Sequence, residues 1–240
     1  MEVGIKWPCQ KNSATVNDVV VLIDILRATS SITTLIDKQT EWVLPVVDVE
    51  EARKIAAKEN AMLMGERNCV KLKGFNFGNS PNEIMQNDVK GARVVFTSTN
   101  FPKTLAVAGN SPMVLIGSML NITAVTTYAY QYASENNLNI CYIGAGYEGK
   151  PSDEDLAFAG ASAKIIEENI NPSEDVKDAI EIANQKGTEE LIKNSEHAAR
   201  LYKTGFDKDV EYCSRTDVVE VVGVYKDGKI SEYEESPAAK

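Results

Sequence analysis

The sequence predicts an α/β protein: a three-layer arrangement in which a mostly parallel sheet is flanked by helices, with a C-terminal helical stretch and hairpin. Short apolar runs alternate with stretches of helical periodicity along most of the 240 residues, the pattern of parallel strands joined by crossover helices. Some runs, Val19-Val20-Val21-Leu22-Ile23 above all, are apolar at every position, as strands covered on both faces are. With 43% hydrophobic and 25% charged residues and no Gly/Pro/Ser-rich tract, the chain has the composition of a globular protein with a full core. No linker marks a boundary, so residues 1–240 are read as one α/β domain; two closely packed α/β subdomains would fit the same pattern.

The elements follow in order. Val19–Ile23 is a buried strand that ends at Asp24 and passes into a Thr/Ser-rich helix around Thr29–Ile36. Trp42–Val47 is the next strand, and Asp48 can cap the helix containing Glu51–Lys58. Met62–Gly65 is a short strand leading to a polar loop. Gly74-Phe75-Asn76-Phe77-Gly78-Asn79-Ser80-Pro81 has too much turn chemistry for a strand or helix and reads as a shaped loop. Ala92–Phe96 is a strand that breaks at Thr97, and Pro102 suits the first turn of a helix to about Ala108. Met113–Ile116 repeats the unit, with Asn121 as cap for Ile122–Ser134. Leu138–Ile143 opens into the loop Gly144–Gly149, and a helix follows over Asp155–Glu168. Pro172–Lys203 is helical with charges of alternating sign. Val218–Val224 and Lys229–Tyr233 flank a turn at Asp227-Gly228 as a terminal hairpin, with a frayed tail from Glu234.

Charge and composition exclude several functions. Against 35 acidic side chains stand 25 basic ones, a net charge of −10, which excludes non-specific binding to nucleic acid through a basic surface. The start, MEVGIKWPCQ, lacks a signal-peptide pattern, and no run approaches the roughly 18 apolar residues of a membrane span; a soluble, cytoplasmic protein without membrane partners is expected. Cys9, Cys69, Cys141 and Cys213 are scattered, with no CxxC pair and no histidine nearby, against zinc and against a disulfide framework. His197, the only histidine, sits in a polar helical stretch, and without a GxSxG elbow a Ser/His/Asp triad is not expected.

Ligands of open α/β sheets bind beyond the strand C-terminal ends. Four such ends carry polar clusters: Asp24–Thr29, Gly65-Glu66-Arg67-Asn68, Thr97-Ser98-Thr99-Asn100 and Gly144–Asp155. Together they supply carboxylates, guanidiniums, hydroxyls and free helix N–H groups, an inventory for an anionic ligand held with a hard cation. Carboxylates and water coordinate Mg²⁺, while arginines and helix N-termini take phosphate oxygens. A chain at −10 repels such a ligand unless local cations reverse the field, and Arg27, Arg67, Lys71 and Lys73 lie in or near these loops. Each cluster has a plainer explanation: Asp24 and Arg27 as a structural ion pair, Glu66 and Arg67 as loop solvation, Thr97–Asn100 as a helix cap, and Ser152 with Asp155 as a capping box. Their recurrence at successive strand ends favours a site.

Gly144-Ala145-Gly146-Tyr147-Glu148-Gly149 matches G-x-G-x-x-G, which raises a dinucleotide-binding oxidoreductase as an alternative. Lys150-Pro151 delays the following helix, whose start carries Asp153, Glu154 and Asp155, and these would repel pyrophosphate unless a metal intervened.

The motifs Asp24-Ile25-Leu26-Arg27-Ala28-Thr29, Gly65-Glu66-Arg67-Asn68, Gly74–Pro81, Ser98-Thr99-Asn100 and Glu154-Asp155…Ala159-Gly160, in this order and spacing, resemble the 2-phosphosulfolactate phosphatase (ComB) family. The resemblance runs from about Asp18 to Ile230, including Asp209-Val210…Cys213…Asp217. It implies a Mg²⁺-dependent acid phosphatase that converts 2-phospho-3-sulfolactate to 3-sulfolactate and phosphate, a step associated with coenzyme M synthesis. On that basis Asp24, Glu154 and Asp155 are expected to serve the metal, with Glu66 a further candidate ligand or base and Asp24 an alternative nucleophile. Arg27 and Arg67 would bind anionic groups, and Asn79, Ser80, Ser98, Thr99 and Asn100 would orient substrate oxygens. The expected partner is a small phosphorylated acid, and exposed helical faces would allow a homodimer. The chain departs from the family pattern at Phe101-Pro102, where a glycine is expected, at Gly144-Ala145-Gly146, where Cys or Ser is expected, and at Gly223, where proline is commoner. Phe101, beside a substrate loop, leaves open a different small phosphorylated acid, and a catalytically silent anion-binding scaffold is the third alternative.

Overall fold

The computed structural model describes residues 1–8 and 14–233; Cys9 and the tail from Glu234 lie outside the described residues. In chain order the elements are β1 (Glu2–Lys6), β2 (Asp18–Ile23), α1 (Ala28–Asp37), β3 (Trp42–Pro45), α2 (Val49–Glu59), β4 (Met62–Arg67), β5 (Val70–Lys71), α3 (Pro81–Met85), β6 (Arg93–Thr97), α4 (Phe101–Val107), β7 (Met113–Gly117), α5 (Ile122–Asn136) and β8 (Asn139–Gly144). After these come α6 (Asp153–Ile165), β9 (Asn171–Pro172), α7 (Glu174–Lys186), α8 (Thr188–Lys193), α9 (Glu196–Lys203), α10 (Asp207–Cys213), β10 (Gly223–Lys226) and β11 (Lys229–Glu232). The α/β class and the mostly parallel, helix-flanked sheet are those the sequence predicts.

Local chemistry sets most boundaries, with three corrections. Asp48 caps α2 by accepting the Glu51 N–H at 2.8 Å. Asn121 does not cap α5; its Oδ1 accepts the Ser118 N–H, and the Thr123 N–H of α5 donates instead to Asp217 at 2.9 Å. Ser152 makes no side-chain cap on α6, so the expected capping box is absent. Val218–Val222 is not a strand; only Gly223–Lys226 pairs.

The strands form one sheet in the order β5-β4-β6-β3-β11-β10-β7-β2-β8-β1-β9. β4, β6 and β3 run parallel to one another, as do β7, β2, β8, β1 and β9. The β10–β11 hairpin, last in sequence, lies in the middle of the sheet and pairs antiparallel with β7 on one side and β3 on the other. Three antiparallel steps separate β3 from β7, so the two parallel groups run in opposite directions. The polar clusters are therefore not ends of successive strands of one parallel series. In a flat sheet the two groups would open at opposite edges. Twist of roughly 20–25° per strand, accumulated from β6 to β2, turns them partly back towards each other.

Alternate residues of β2 enter different layers. Val19, Val21 and Ile23 pack with Val125, Phe158 and Ile180, and Val20 and Leu22 pack with Ile32, Leu35 and Phe101. Both faces of the central strands are thus covered, which explains their unbroken apolar runs. Gly223 sits where β10 crosses this core: a β-carbon there would lie 2.7 Å from Ile36 Cδ1 and 3.2 Å from Ile116 Cβ, so the end of the Ile36 side chain would have to shift to admit one.

Candidate active site

One cavity of about 170 Å³ draws its lining from both groups of strands and from α9. Asp24 follows β2 directly. Its carboxylate is buried, and the turn into α1 fixes it: Oδ1 accepts the Ala28 N–H at 3.2 Å, and its own N–H donates to Thr29 Oγ1 at 3.0 Å. Arg27 is 3% exposed, pairs with Asp209 at 2.5 Å and lies over the Phe206 ring at 4.0 Å. Asp209 is in turn held by the Ser80 hydroxyl at 2.7 Å and the Asn82 amide at 2.9 Å.

The opposite wall is tied together by Glu66. Its Oε1 accepts the Thr99 N–H and hydroxyl at 3.0 and 3.1 Å, and its Oε2 accepts the Cys69 N–H at 2.7 Å. One carboxylate thereby joins the β4–β5 turn to the loop after β6. Asn79, Ser98, Thr99 and Asn100 also line the cavity, and Asn79 Oδ1 is buried without a partner.

From α9, His197 and Arg200 face the same space. The His197 ring stacks on Tyr147 with centroids 4.6 Å apart, and its Nδ1 lies 3.2 Å from Glu154 Oε1. An adjoining hollow of about 220 Å³ shares Tyr147, Glu148 and His197 and is lined also by Ser152 and Glu154. Ser152 Oγ and Glu154 Oε2 are buried there without partners. Asp155 accepts the Ile25 N–H at 3.1 Å and the Gly146 N–H at 2.9 Å, so it staples the loop after β2 to the loop after β8.

The carboxylates are crowded. Burial raises Asp24 to about 6, with Glu66 and Glu154 adding to the shift against the Ala28 hydrogen bond and His197. Burial, then repulsion from Glu154 and Asp24, raises Asp155 to about 8. Burial pulls His197 down, but hydrogen bonds to Cys69 and Glu154 outweigh it and raise the imidazole to about 9. Among the described residues no three His, Cys, Asp or Glu side chains converge as metal ligands. Mg²⁺ is not excluded by that, because it needs only one or two carboxylates beside water and substrate oxygens. An orphaned Glu154 oxygen and the buried Asp24 carboxylate suit such a hard cation. Asp155 suits it less, since both its oxygens serve backbone N–H groups.

Comparison with known proteins bears on this geometry. The family model of 2-phosphosulpholactate phosphatase matches residues 6–228. The chain belongs to this family. A "Probable 2-phosphosulfolactate phosphatase" of Thermotoga petrophila is 37% identical over 214 residues, covering 87% of this chain and 89% of that one. Proteins of the same name from Carboxydothermus hydrogenoformans and Clostridium acetobutylicum are 32% identical over 96% of each chain, and 34% identical over 92% of this chain and 94% of the other.

Within this family framework the structure brings together Asp24, Arg27, Glu66, Asn79, Ser98, Thr99 and Asn100, and sets other sequence candidates apart. Arg67 does not line the cavity; its guanidinium donates to the Glu66 carbonyl, Thr97 Oγ1 and the Val47 carbonyl at 2.7, 3.0 and 3.1 Å. Ser80 is spent on Asp209 and on capping α3 through the Glu83 N–H. Lys71 pairs with Glu83 at 2.7 Å and is exposed, as is Lys73. Phe101 is fully buried, with its ring 5.9 Å from that of Phe96, and does not reach the cavity. The Gly144–Gly149 loop forms no pyrophosphate cradle, because the Gly146 N–H goes to Asp155, Tyr147 and Lys150 exchange backbone hydrogen bonds, and the helix starts only at Asp153. His197 and Arg200 were not foreseen. Their i, i+3 spacing places a histidine and an arginine on one helix face, which was the available signal.

Proposed function

We propose that this chain hydrolyses 2-phospho-3-sulfolactate to 3-sulfolactate and phosphate with Mg²⁺, as a cytoplasmic step of coenzyme M or sulfolactate biosynthesis. The observation that carries the reading is the meeting, in one cavity, of the Asp24 carboxylate with Arg27 on one wall and His197 and Arg200 on another. A substrate with phosphate, carboxylate and sulfonate groups needs cations on more than one side. In a phosphoryl transfer the protein's work is to position the group and stabilise charge on its oxygens. Arg27, fixed by Asp209, serves this as an immobile guanidinium, while Thr99, Asn100 and Asn79 offer hydrogen-bonding groups to the remaining oxygens. Asp24 and Glu154 would hold Mg²⁺, which supplies Lewis acidity toward the phosphoryl oxygens.

The test is phosphate release from 2-phosphosulfolactate and a panel of phosphorylated hydroxy acids, with Mg²⁺ or EDTA. Release that needs the metal is expected; undiminished release in EDTA removes Mg²⁺, and no release from any substrate leaves a silent anion-binding scaffold. Asp24→Asn should lower kcat by about 100-fold or more. It should also abolish the rise in melting temperature that Mg²⁺ gives the unsubstituted protein, a readout independent of turnover.

A further inference from the structure

We propose that Asn79 is a catalytic residue of the hydrolysis: its Oδ1 accepts a hydrogen bond from the water that attacks phosphorus and orients that water toward the ester bond to be broken. The proposal deepens the phosphatase reading and rests on it for the identity of the reacting group.

Among the described residues that line the cavity, Asn79 Oδ1 is the only buried side-chain polar atom without a hydrogen-bond partner. Neighbouring acceptors are engaged: both Glu66 oxygens accept N–H groups, and Ser98 Oγ accepts the Phe101 N–H at 3.2 Å. Asn79 is 7% exposed, so its carbonyl is also shielded from bulk water. An unmet acceptor at such depth carries a desolvation cost, which a donor arriving in the cavity removes.

The loop holds this amide in place. On one side of it the Gly78 N–H donates to Glu83 Oε2 at 2.8 Å, and on the other Ser80 Oγ caps α3 and donates to Asp209 Oδ1 at 2.7 Å. The second Asp209 oxygen pairs with Arg27. One carboxylate thus ties the Asn79 loop to the guanidinium that serves the phosphoryl group.

Hydrogen-bond chemistry selects the partner. The ionised phosphate, carboxylate and sulfonate groups of a substrate carry acceptors alone, so they can meet the N–H groups of the amide but not its Oδ1. The reaction itself brings two donors, the attacking water and the hydroxyl of the alcohol product. An acceptor beside the departing ester oxygen would oppose the negative charge that builds there in the transition state. Beside the water it is favourable, because the water hydrogens become more acidic as their oxygen bonds to phosphorus. An amide is too weak a base to take the proton, so its part is orientation, as it is for the glutamine of nucleotide hydrolases. The water oxygen bonds to phosphorus as the bond from phosphorus to the ester oxygen breaks, and the electron pair of that bond goes to the ester oxygen. One water hydrogen stays on the phosphate, the other passes to solvent as a proton, and the ester oxygen takes a proton from solvent to become the product hydroxyl.

The experiment compares the full chain with Asn79→Ala and Asn79→Asp. It measures phosphate release, inhibition by orthovanadate and by inorganic phosphate, and the rise in melting temperature that each anion and Mg²⁺ gives. Vanadate becomes five-coordinate with water and imitates the transition state, whereas phosphate imitates the ground state. Asn79→Ala should lower kcat about 100-fold and change KM no more than about fivefold. It should weaken vanadate at least about tenfold more than phosphate and leave the Mg²⁺ response intact. Asn79→Asp keeps an acceptor and gives up the N–H groups, so its kcat should exceed that of Asn79→Ala by about tenfold, although the added charge raises KM. Equal weakening of vanadate and phosphate overturns the proposal by making Asn79 a ground-state anion ligand. A lost Mg²⁺ response overturns it by giving the amide to a metal-bound water, and Asn79→Asp no faster than Asn79→Ala removes the acceptor. A chain that releases no phosphate from any substrate and binds no vanadate fails the phosphatase reading and the water role with it. Phosphate release undisturbed by Asn79→Ala keeps that reading and removes the water role alone.

Discussion

At the scale of single residues, the site depends on charges fixed by other charges. Asp209 is 1% exposed and satisfies Arg27, Ser80 and Asn82 together. Removing one partner of a buried ion pair leaves the other uncompensated, so Asp209→Ala should cost about 3–5 kcal/mol, read from urea denaturation. It should also lower kcat/KM by freeing Arg27; unchanged kinetics would show that Arg27 needs no anchor. Arg200 differs, being more exposed and paired loosely with Glu148 at 3.7 Å. Arg200→Ala should leave stability within about 0.5 kcal/mol and raise KM about tenfold for substrates with a third anionic group, with kcat little altered. Equal KM changes for dianionic and trianionic substrates would remove it from specificity. Strand ends advertise their loops, and Asp24, Glu66 and Ser98–Asn100, picked out on that ground, line one cavity. The Arg67 guanidinium instead serves nearby carbonyl groups and the Thr97 hydroxyl, and His197 and Arg200 reach the cavity from a helix that in the sequence looks like an ordinary solvated face.

At the scale of elements, close approaches decide which substitutions the fold tolerates. Where α6 crosses α7, a β-carbon on Gly160 would overlap the Ala179 carbonyl oxygen. The obstacle is backbone, which cannot rotate away. Gly160→Ala should therefore destabilise by about 1–3 kcal/mol despite the better helix propensity of alanine, measured by chemical denaturation; a stabilised variant would show that the helices slide apart freely. The same distinction between local and distant partners explains what the sequence revealed of the elements. β2, β6 and β8 announce themselves by apolar runs, and Asp48 by its place before α2. The cap of α5 comes from Asp217, 94 residues beyond Thr123, so the nearer Asn121 misled. β1 is short and alternates polar with apolar residues, and it becomes a strand only by pairing with β8 and β9.

At the scale of the whole molecule, the cavity joins loops from two groups of strands that run in opposite directions, and the element between them is the β10–β11 hairpin. No pattern in the sequence shows this, because Asp227-Gly228 reports a turn and says nothing of which strands the hairpin enters. Ile230 is fully buried and pairs with Val43, where the hairpin meets the β4-β6-β3 group. Truncating a buried isoleucine to alanine costs about 2–5 kcal/mol through lost burial and an unfilled cavity. The functional consequence depends on what the hairpin does. If it only fills the core, Ile230→Ala lowers the melting temperature and leaves turnover intact well below that temperature. If it sets the distance between the Glu66–Thr99 wall and the Asp24–Arg27 wall, small displacements enter the site, and a shift of about 1 Å can cost on the order of 100-fold in rate. We expect the second outcome in moderated form: a fall in kcat/KM of about tenfold, measured at a temperature where circular dichroism shows the variant fully folded. Tyr225, which pairs with Val114 on the β7 side of the same hairpin, provides the matching probe, and Tyr225→Ala should move kcat/KM in the same direction. Normal turnover in both folded variants would show that the hairpin does not set the distance between the two walls.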